Sequence, residues 1–219
     1  MLLLVRHGQA SLGSADYDRL SELGHVQAQA VGVRLRRADL AAARIVSGGL
    51  VRQRDTARSV LAELGALDAD PQVDTRLDEY DHVGVLSTQR SGQTFQAATT
   101  EDSRRALQSA LDEALARWVA AGEDEGYPES HPGFLDRVGG VLHELADAPG
   151  VTVAVTSAGV IAAAAASALG LPDASWPTLA RLVVNASVTK LISGRTGTSL
   201  LTFNDHAHLE HDRALVTYR

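Results

Sequence analysis

The apolar positions fall into short runs, each cut off by glycine, serine or a charge. Leu2-Leu3-Leu4-Val5 is the first, and it stops abruptly at Arg6-His7-Gly8. A run of that length bounded by a turn signal predicts a buried strand. Residues 43–47, around Ile45-Val46, form a second such run, broken by Gly48-Gly49. Residues 73–75 are a short third candidate. Residues 151–155 form the clearest run, continuous enough for a central strand. Residues 184–192 and 199–203 flank a turn at 194–197, which is a hairpin signal.

Between these runs the apolar spacing is helical. Val26, Ala30, Val33 and Leu35 follow Ser21-Glu22-Leu23-Gly24 and lead into Arg34, Arg36 and Arg37, charges that favour a helix C-terminus. Further helices are predicted over 50–64, closing at Gly65, and over 103–121, 134–146 and the alanine-rich 158–171. Residues 9–20, with Gly13, Ser14 and Asp16, read as a loop. So do 122–132, while 78–99 are irregular and polar. The order β-α-β-α, helical insertion, β-α-β-β predicts an α/β fold: a three-layer α/β/α sandwich with a mostly parallel sheet. Residues 1–219 are expected to form one domain, with a lid insertion at about 78–132 over the active face.

Composition narrows the function. The formal net charge of −7 argues against a nucleic-acid or anionic-membrane partner. The absence of cysteine removes disulfides, thiolate catalysis and cysteine-based zinc sites, and fits a reducing compartment. The N-terminal apolar run is too short for a signal peptide. The longest apolar stretch, 158–171, is shorter than the roughly 20 residues a membrane helix needs. The expectation is a cytoplasmic protein without a metal or cofactor.

The chemistry gathers where strands end. In open α/β sheets ligands bind outside the carboxyl ends of the strands. At the first end, Arg6 offers a planar fork of donors suited to phosphate or carboxylate. His7 suits a nucleophile or proton carrier near neutral pH, and Gly8 permits close backbone approach. At the second, Arg52 and Arg54 sit in the first turn of a predicted helix, where the dipole disfavours cations. A bound dianion would explain them, because a helix N-terminus binds anions. A solvated face that includes Arg58 is the competing explanation. At the third, Thr156-Ser157-Ala158-Gly159 opens the alanine-rich helix, either as a donor set or as an ordinary N-cap.

Taken in order, these stretches resemble the phosphoglycerate-mutase-like histidine phosphatases. The resemblance begins at Leu4-Val5-Arg6-His7-Gly8-Gln9. It continues through Ser21-x-x-Gly24-x-x-Gln27-Ala28, Ser47-x-x-Leu50-x-Arg52-x-Arg54-x-Thr56-Ala57 and Leu77-Asp78-Glu79. It returns at Phe134-x-x-Arg137-Val138, at Thr156-Ser157 and at Asn185-Ala186-Ser187-Val188-Thr189. The ordered set covers nearly the whole chain.

The resemblance implies that His7 attacks phosphorus to form a phosphohistidine. Arg6 and Arg52 then clamp the phosphoryl oxygens, and Glu79 protonates the leaving oxygen and later activates water. Asp78 and Asp81 are rivals for the role of Glu79. Gly8, Gln9, Ser157 and Ala158 are expected to contact the substrate, a small phosphorylated molecule. Most of the family carries a second histidine where Ser157 stands. A neutral hydroxyl is the weaker donor, so three consequences are open: a slower enzyme, one tuned to an easier substrate, or another histidine filling the place. His82, His131, His206 and His208 are candidates for the last, with His208 the first choice.

A phosphomonoester phosphatase is the leading expectation. A phosphoglycerate-type mutase and a non-catalytic phospho-ligand-binding protein are the alternatives. The insertion carries few arginines (Arg90, Arg104, Arg105, Arg117), so a highly anionic substrate is not indicated. Tyr80, Phe95 and Tyr127 are expected to pack on an apolar leaving group.

Overall fold

Strand β1 (Leu2–Arg6) is buried along its whole length, and its pleat sends side chains into two cores. Leu2 and Leu4 meet Val46, Ala154 and the apolar faces of α5 (His131–Asp147) and α6 (Ala158–Leu169). Leu3 and Val5 meet Val31 and Leu35 of α1 (Glu22–Arg37), Ala57 and Val60 of α2 (Val51–Glu63), and Val153 and Val155. A strand apolar on both faces needs a helical layer on each, and this is why the first run reads as continuous rather than alternating. The computed structural model describes all residues except 12–17, 42, 89–100, 124–125, 196 and 219, and omits the side chains of 101–108.

The sheet has the order β3 (Gln72–Val73), β2 (Arg44–Ser47), β4 (Thr152–Thr156), β1, β5 (Val188–Gly194), β6 (Gly197–Asp205). The first four strands run parallel, and β5 and β6 form an antiparallel hairpin against β1. The fold is therefore the expected α/β/α sandwich with a mostly parallel sheet. The register pairs Arg6 with Thr156 and Ser47 with Val155. Three strands thus end at one edge, where His7, Gly48 and Ser157 leave the sheet side by side.

Between Asp78 and His131 lie α3 (His82–Ser87) and α4 (Glu101–Ala121). Ala114, Leu115 and Trp118 of α4 enter the core shared by α5 and α6. Trp118 sits in an aromatic group with Tyr80, His131, Phe134 and Trp176, at ring-centroid distances of 5.0 to 5.7 Å from the last three and 5.4 Å from Tyr80. Tyr80 and Tyr127 pack on this core. Arg90 and Phe95 lie outside the described residues, as do the side chains of Arg104 and Arg105.

Three local expectations change. Residues 82–87 form a helical turn rather than irregular chain, capped by Asp81 through the Gly84 N–H at 2.9 Å. Helix α7 (Trp176–Leu182) lies in a stretch with no predicted element. Both are too short to show helical periodicity. The expected strand over 184–192 begins only at Val188, because Asn185 and Ala186 form a turn with Ala186 at φ 58°. The Ala186 N–H donates there to the Arg6 carbonyl at 3.1 Å. Among the described residues no helix is long and apolar enough to cross a membrane.

Candidate active site

His7 follows directly from β1, with its N–H on the Thr156 carbonyl at 2.9 Å. Its ring is buried. Nδ1 lies 2.7 Å from the Gly8 carbonyl, which can only accept, so Nδ1 carries the proton. Nε2 is left with its lone pair and accepts from Arg52 Nε at 3.1 Å. Burial, then the charges of Arg52 and Arg6, hold the imidazole well below its ordinary pKa. The side chain is a neutral base at pH 7 with Nε2 facing a guanidinium.

Arg6 and Arg52 are both buried. Arg6 Nη1 donates to the carbonyls of Val183 and Tyr218, the latter at 2.9 Å. Arg52 Nη1 meets Asp18 Oδ1 at 2.6 Å. The second oxygen of Asp18 accepts from the Val51 N–H at 2.7 Å. Leu50, the N-cap of α2, has no polar side chain. Asp18 supplies the missing cap from a distant loop and offsets the cation in the first turn. Of the other arginines there, Arg58 pairs with Asp70 and Asp55 at the surface, as the solvated-face reading has it.

Glu79 is half-buried beside this group. Its Oε2 accepts from the Gly159 N–H at 3.1 Å in the first turn of α6. Burial raises its pKa, opposed by the Gly159 N–H and by Arg52 and Arg6. The rivals are tied elsewhere. Asp78 accepts from the Gly49 N–H at 2.5 Å, and Asp81 caps α3. The loop before Glu79 is fastened from three sides. Thr156 Oγ1 donates to the Leu77 carbonyl at 2.6 Å. Gln53 Nε2 donates to the same carbonyl at 3.2 Å. Arg137 Nη1 donates to the carbonyls of Arg76 and Asp78 at 2.8 and 3.0 Å.

Ser157 is fully buried at the N-cap of α6, and its hydroxyl accepts from Gln53 Nε2 at 3.0 Å. Ala158 opens the helix, half-buried. Gly8 and Gln9, expected to touch the substrate, have their backbone amides engaged within the protein. The Gly8 N–H donates to Thr56 Oγ1 at 3.0 Å, and the Gln9 N–H to Gln27 Oε1 at 2.8 Å. Gln9 Oε1 also accepts from Ser21 Oγ at 2.8 Å. Asn185 Nδ2 donates to the His7 carbonyl at 3.2 Å. The motif residues around Arg6-His7-Gly8 thus brace the strand tip from α1, α2 and the C-terminal turn.

The histidines expected as substitutes for the second one are placed variously. His208 is not brought to the site. Its Nδ1 meets Arg34 Nη1 at 3.1 Å and its Nε2 the Ala186 carbonyl at 3.0 Å, so both ring nitrogens are engaged. Burial and Arg34 lower its pKa to about 4. His206 Nδ1 lies 2.7 Å from the Asn204 carbonyl. His131 is buried among aromatic rings. His82, half-buried at the start of α3, feels Arg52: burial first and that charge second lower its pKa.

Asp18 and Gln53 complete the site and were not singled out from sequence. Asp18 lies within the polar loop 9–20 and Gln53 among the arginines of α2, so neither carries a local signal. Gln53 Oε1 accepts from the Leu50 N–H at 3.2 Å, but a leucine N-cap removes the Ser/Thr signal that would have announced this contact.

A neutral imidazole, two buried guanidiniums and a carboxyl group of raised pKa at converging strand ends define a site for phosphoryl chemistry. Residues 2–206 match the model of the histidine phosphatase superfamily, branch 1, and the chain belongs to that superfamily, whose phosphatases and mutases act through a phosphohistidine. Among solved structures, a mycobacterial glucosyl-3-phosphoglycerate phosphatase with inorganic phosphate is 30% identical (TM-score 0.63, 94% of this chain and 98% of that one). A phosphoserine phosphatase from Entamoeba histolytica with 3-phosphoglyceric acid is 18% identical (TM-score 0.65, 95% and 98%). YhfR from Bacillus stearothermophilus is 22% identical (TM-score 0.67, 94% and 98%). The last two show the fold alone. A comparison with curated protein sequences found no match.

Proposed function

We propose that the protein is a phosphomonoester phosphatase that forms a phosphohistidine on His7. The observation that carries this reading is the His7 tautomer: Nδ1–H is held by the Gly8 carbonyl, and the Nε2 lone pair faces Arg52. In the first step Nε2 attacks phosphorus in line and the bond to the leaving oxygen breaks. The Arg52 Nε–H moves from Nε2 to a phosphoryl oxygen as substrate enters. Arg6 and Arg52 balance the charge of the transferring group. Glu79, kept protonated by burial and by the adjacent dianion, gives its proton to the leaving oxygen and an alcohol departs. In the second step the Glu79 carboxylate takes a proton from water, the water oxygen bonds to phosphorus, and the P–N electrons return to Nε2. Inorganic phosphate leaves.

The insertion with α3 and α4 lies next to Glu79 in the chain and serves as the lid that selects the leaving group. A mutase would have to hold its phosphoenzyme away from water, and nothing in the described part of the insertion favours that reading. The 30% identical relative makes glucosyl-3-phosphoglycerate a sensible first substrate to try beside a generic ester. The test is hydrolysis of p-nitrophenyl phosphate by the wild type and His7→Ala. Turnover lost in the variant supports the reading. Phosphate binding without turnover in the wild type would leave a phospho-ligand-binding protein. Activity that needs both a phosphoglycerate and a phosphorylated primer would make it a mutase.

A further inference from the structure

Glu79 is aimed by one residue of α6, and that residue is held in turn by α7. The Gly159 N–H lies in the first turn of α6, where a helix leaves its amides without intrahelical acceptors. Ser157, the N-cap, makes no side-chain capping bond, and Glu79 Oε2 accepts from Gly159 instead, at 3.1 Å. The Gly159 carbonyl is engaged from the other side, where Trp176 Nε1 donates to it at 2.8 Å. Trp176 is buried and opens α7. A buried indole N–H needs an acceptor, and here the acceptor is the backbone of the residue that binds the acid.

The indole also closes the space around the carboxyl group. A Cβ built on Gly159 would lie 2.2 Å from Glu79 Oε1 and 2.9 Å from Trp176 Cζ2. The carboxyl oxygen and the ring edge therefore meet over one Cα. The same ring stands edge-on to Tyr80, the next residue in the chain, at a centroid distance of 5.3 Å and an angle of 74°. Arg52 of α2 and Arg6 of β1 favour the ionised carboxyl, as do the Gly159 and Tyr80 N–H groups. Arg137 of α5 faces it as well. Burial is the opposing influence and the larger one, and an apolar ring set against a carboxyl group produces it.

We infer that Trp176 is a positioning residue for the proton donor: through the Gly159 peptide it holds Glu79 in place for the leaving oxygen, and its ring keeps water from the carboxyl. This rests on the phosphatase reading above. It gives α7, a short helix far along the chain from Glu79, an effect on rate that runs through the acid.

Trp118 is the matched control. It belongs to the same aromatic group, 5.7 Å from Trp176, but its Nε1 donates to the Glu129 carbonyl at 2.8 Å. The test compares Trp176→Phe with Trp118→Phe on an alkyl phosphate and on p-nitrophenyl phosphate, below the Tm of each variant. Trp176→Phe is expected to lower kcat/KM by about tenfold or more on the alkyl ester and by less than about threefold on p-nitrophenyl phosphate. Water reaching the carboxyl favours its ionised form, so the basic limb of the alkyl-phosphate profile is expected to move to lower pH. Trp118→Phe is expected to leave the ratio of the two rates and that limb unchanged. Equal losses on both esters in Trp176→Phe, or the same change of ratio in Trp118→Phe, would show a contribution to folding only and overturn the inference. In a Glu79→Gln background, Trp176→Phe is expected to cost less than about twofold more on the alkyl ester. Losses that multiply would equally overturn it.

If Trp176→Phe does not fold, the native ring serves as the reporter. The chain has two tryptophans, so in Trp118→Phe the indole emission is that of Trp176. One step in its pH titration is expected to disappear when Glu79→Gln is added, and an unchanged titration would contradict the inference. Glu79→Gln alone separates the two claims. An equal loss on both esters there removes the acid role of Glu79 and the inference with it. Leaving-group dependence in Glu79→Gln without any in Trp176→Phe sinks the inference alone.

Discussion

Two side chains in the site are pushed in opposite directions by the same burial. His7 is held neutral and Glu79 is held toward its protonated form. The proposed first step needs both: an unprotonated Nε2 and a proton on the carboxyl. The rate should therefore rise as pH passes the lowered pKa of His7 and fall as it passes the raised pKa of Glu79. The pH profile of kcat/KM on an alkyl phosphate is expected to peak on the acid side of neutrality, and a maximum above about pH 8 would contradict these roles. Glu79→Gln should cost about 10²–10⁴-fold on an alkyl phosphate. It should cost much less on p-nitrophenyl phosphate, whose leaving oxygen needs no proton, and an equal loss on both would remove Glu79 as the acid. Asp18 holds the Arg52 guanidinium and the Val51 N–H, donors that the proposed mechanism gives to the phosphoryl group. In Asp18→Asn, inorganic phosphate is expected to inhibit more tightly while kcat falls, because the pocket loses a negative charge and Arg52 loses its anchor. Weaker phosphate inhibition would show that Asp18 does not occupy the anion's place. At this scale the sequence was informative where residue type carries the chemistry, as at His7, Arg6 and Arg52. Asp18 and Gln53 have roles set by partners 34 and 104 positions away, which only the fold brings together.

Strands and helices set the distances. A Cβ at Gly24, in the first turn of α1, would lie 2.2 Å from the Gln9 carbonyl oxygen, and one at Gly8 would lie 2.3 Å from the Gly24 carbonyl oxygen. The helix start and the strand tip touch backbone to backbone, so the Ser21-x-x-Gly24 motif governs the position of His7 without touching substrate. Gly159 has the matching part for Glu79: a Cβ there would lie 2.2 Å from Glu79 Oε1 and 2.9 Å from Trp176 Cζ2. Gly159→Ala is expected to reproduce the leaving-group dependence of Glu79→Gln while the Tm falls only modestly. A variant with wild-type rates on both esters would show that the Gly159 contact is not needed to place the acid. The long elements were legible because β1 and β4 are continuous apolar runs and α5 keeps its helical spacing. Of the α1 positions read as its apolar spacing only Leu35 is buried, and Val26 is exposed, because the face turned to the sheet carries Gly24, Ala28, Val31 and Gly32. Helices α3 and α7, of six and seven residues, carry too few turns to show a period. The late start of β5 was hidden because Val184 and Ala186 look like strand residues. Ala186 is held instead in the left-handed region by its N–H bond to Arg6.

Across the whole molecule, the insertion is joined to the sheet by the rings of Tyr80, Trp118, His131, Phe134 and Trp176, with Tyr80 next to Glu79 in the chain. Trp118→Ala is expected to cost about 3–5 kcal/mol of stability through the cavity it leaves. A loss under about 1 kcal/mol would show that the insertion does not depend on this group. His7, His131 and His208 all have lowered pKa values, with His208 at about 4. The unfolded chain takes these protons near 6.5, before the folded one does. Stability is therefore expected to decline as pH falls from 6.5 toward 4, and His208→Gln should flatten part of that slope in Tm against pH. An identical slope in the variant would mean that His208 is not held neutral by the fold. The proposed mechanism depends on covalent chemistry at one nitrogen, and trapping the intermediate tests that directly. Acid-quenched turnover is not needed; rapid alkaline quench after mixing with a phosphate monoester, followed by peptide mass spectrometry, is expected to find an acid-labile phosphoryl group on His7, absent from His7→Ala. A phosphoryl group on any other side chain, or full turnover by His7→Ala, would contradict it.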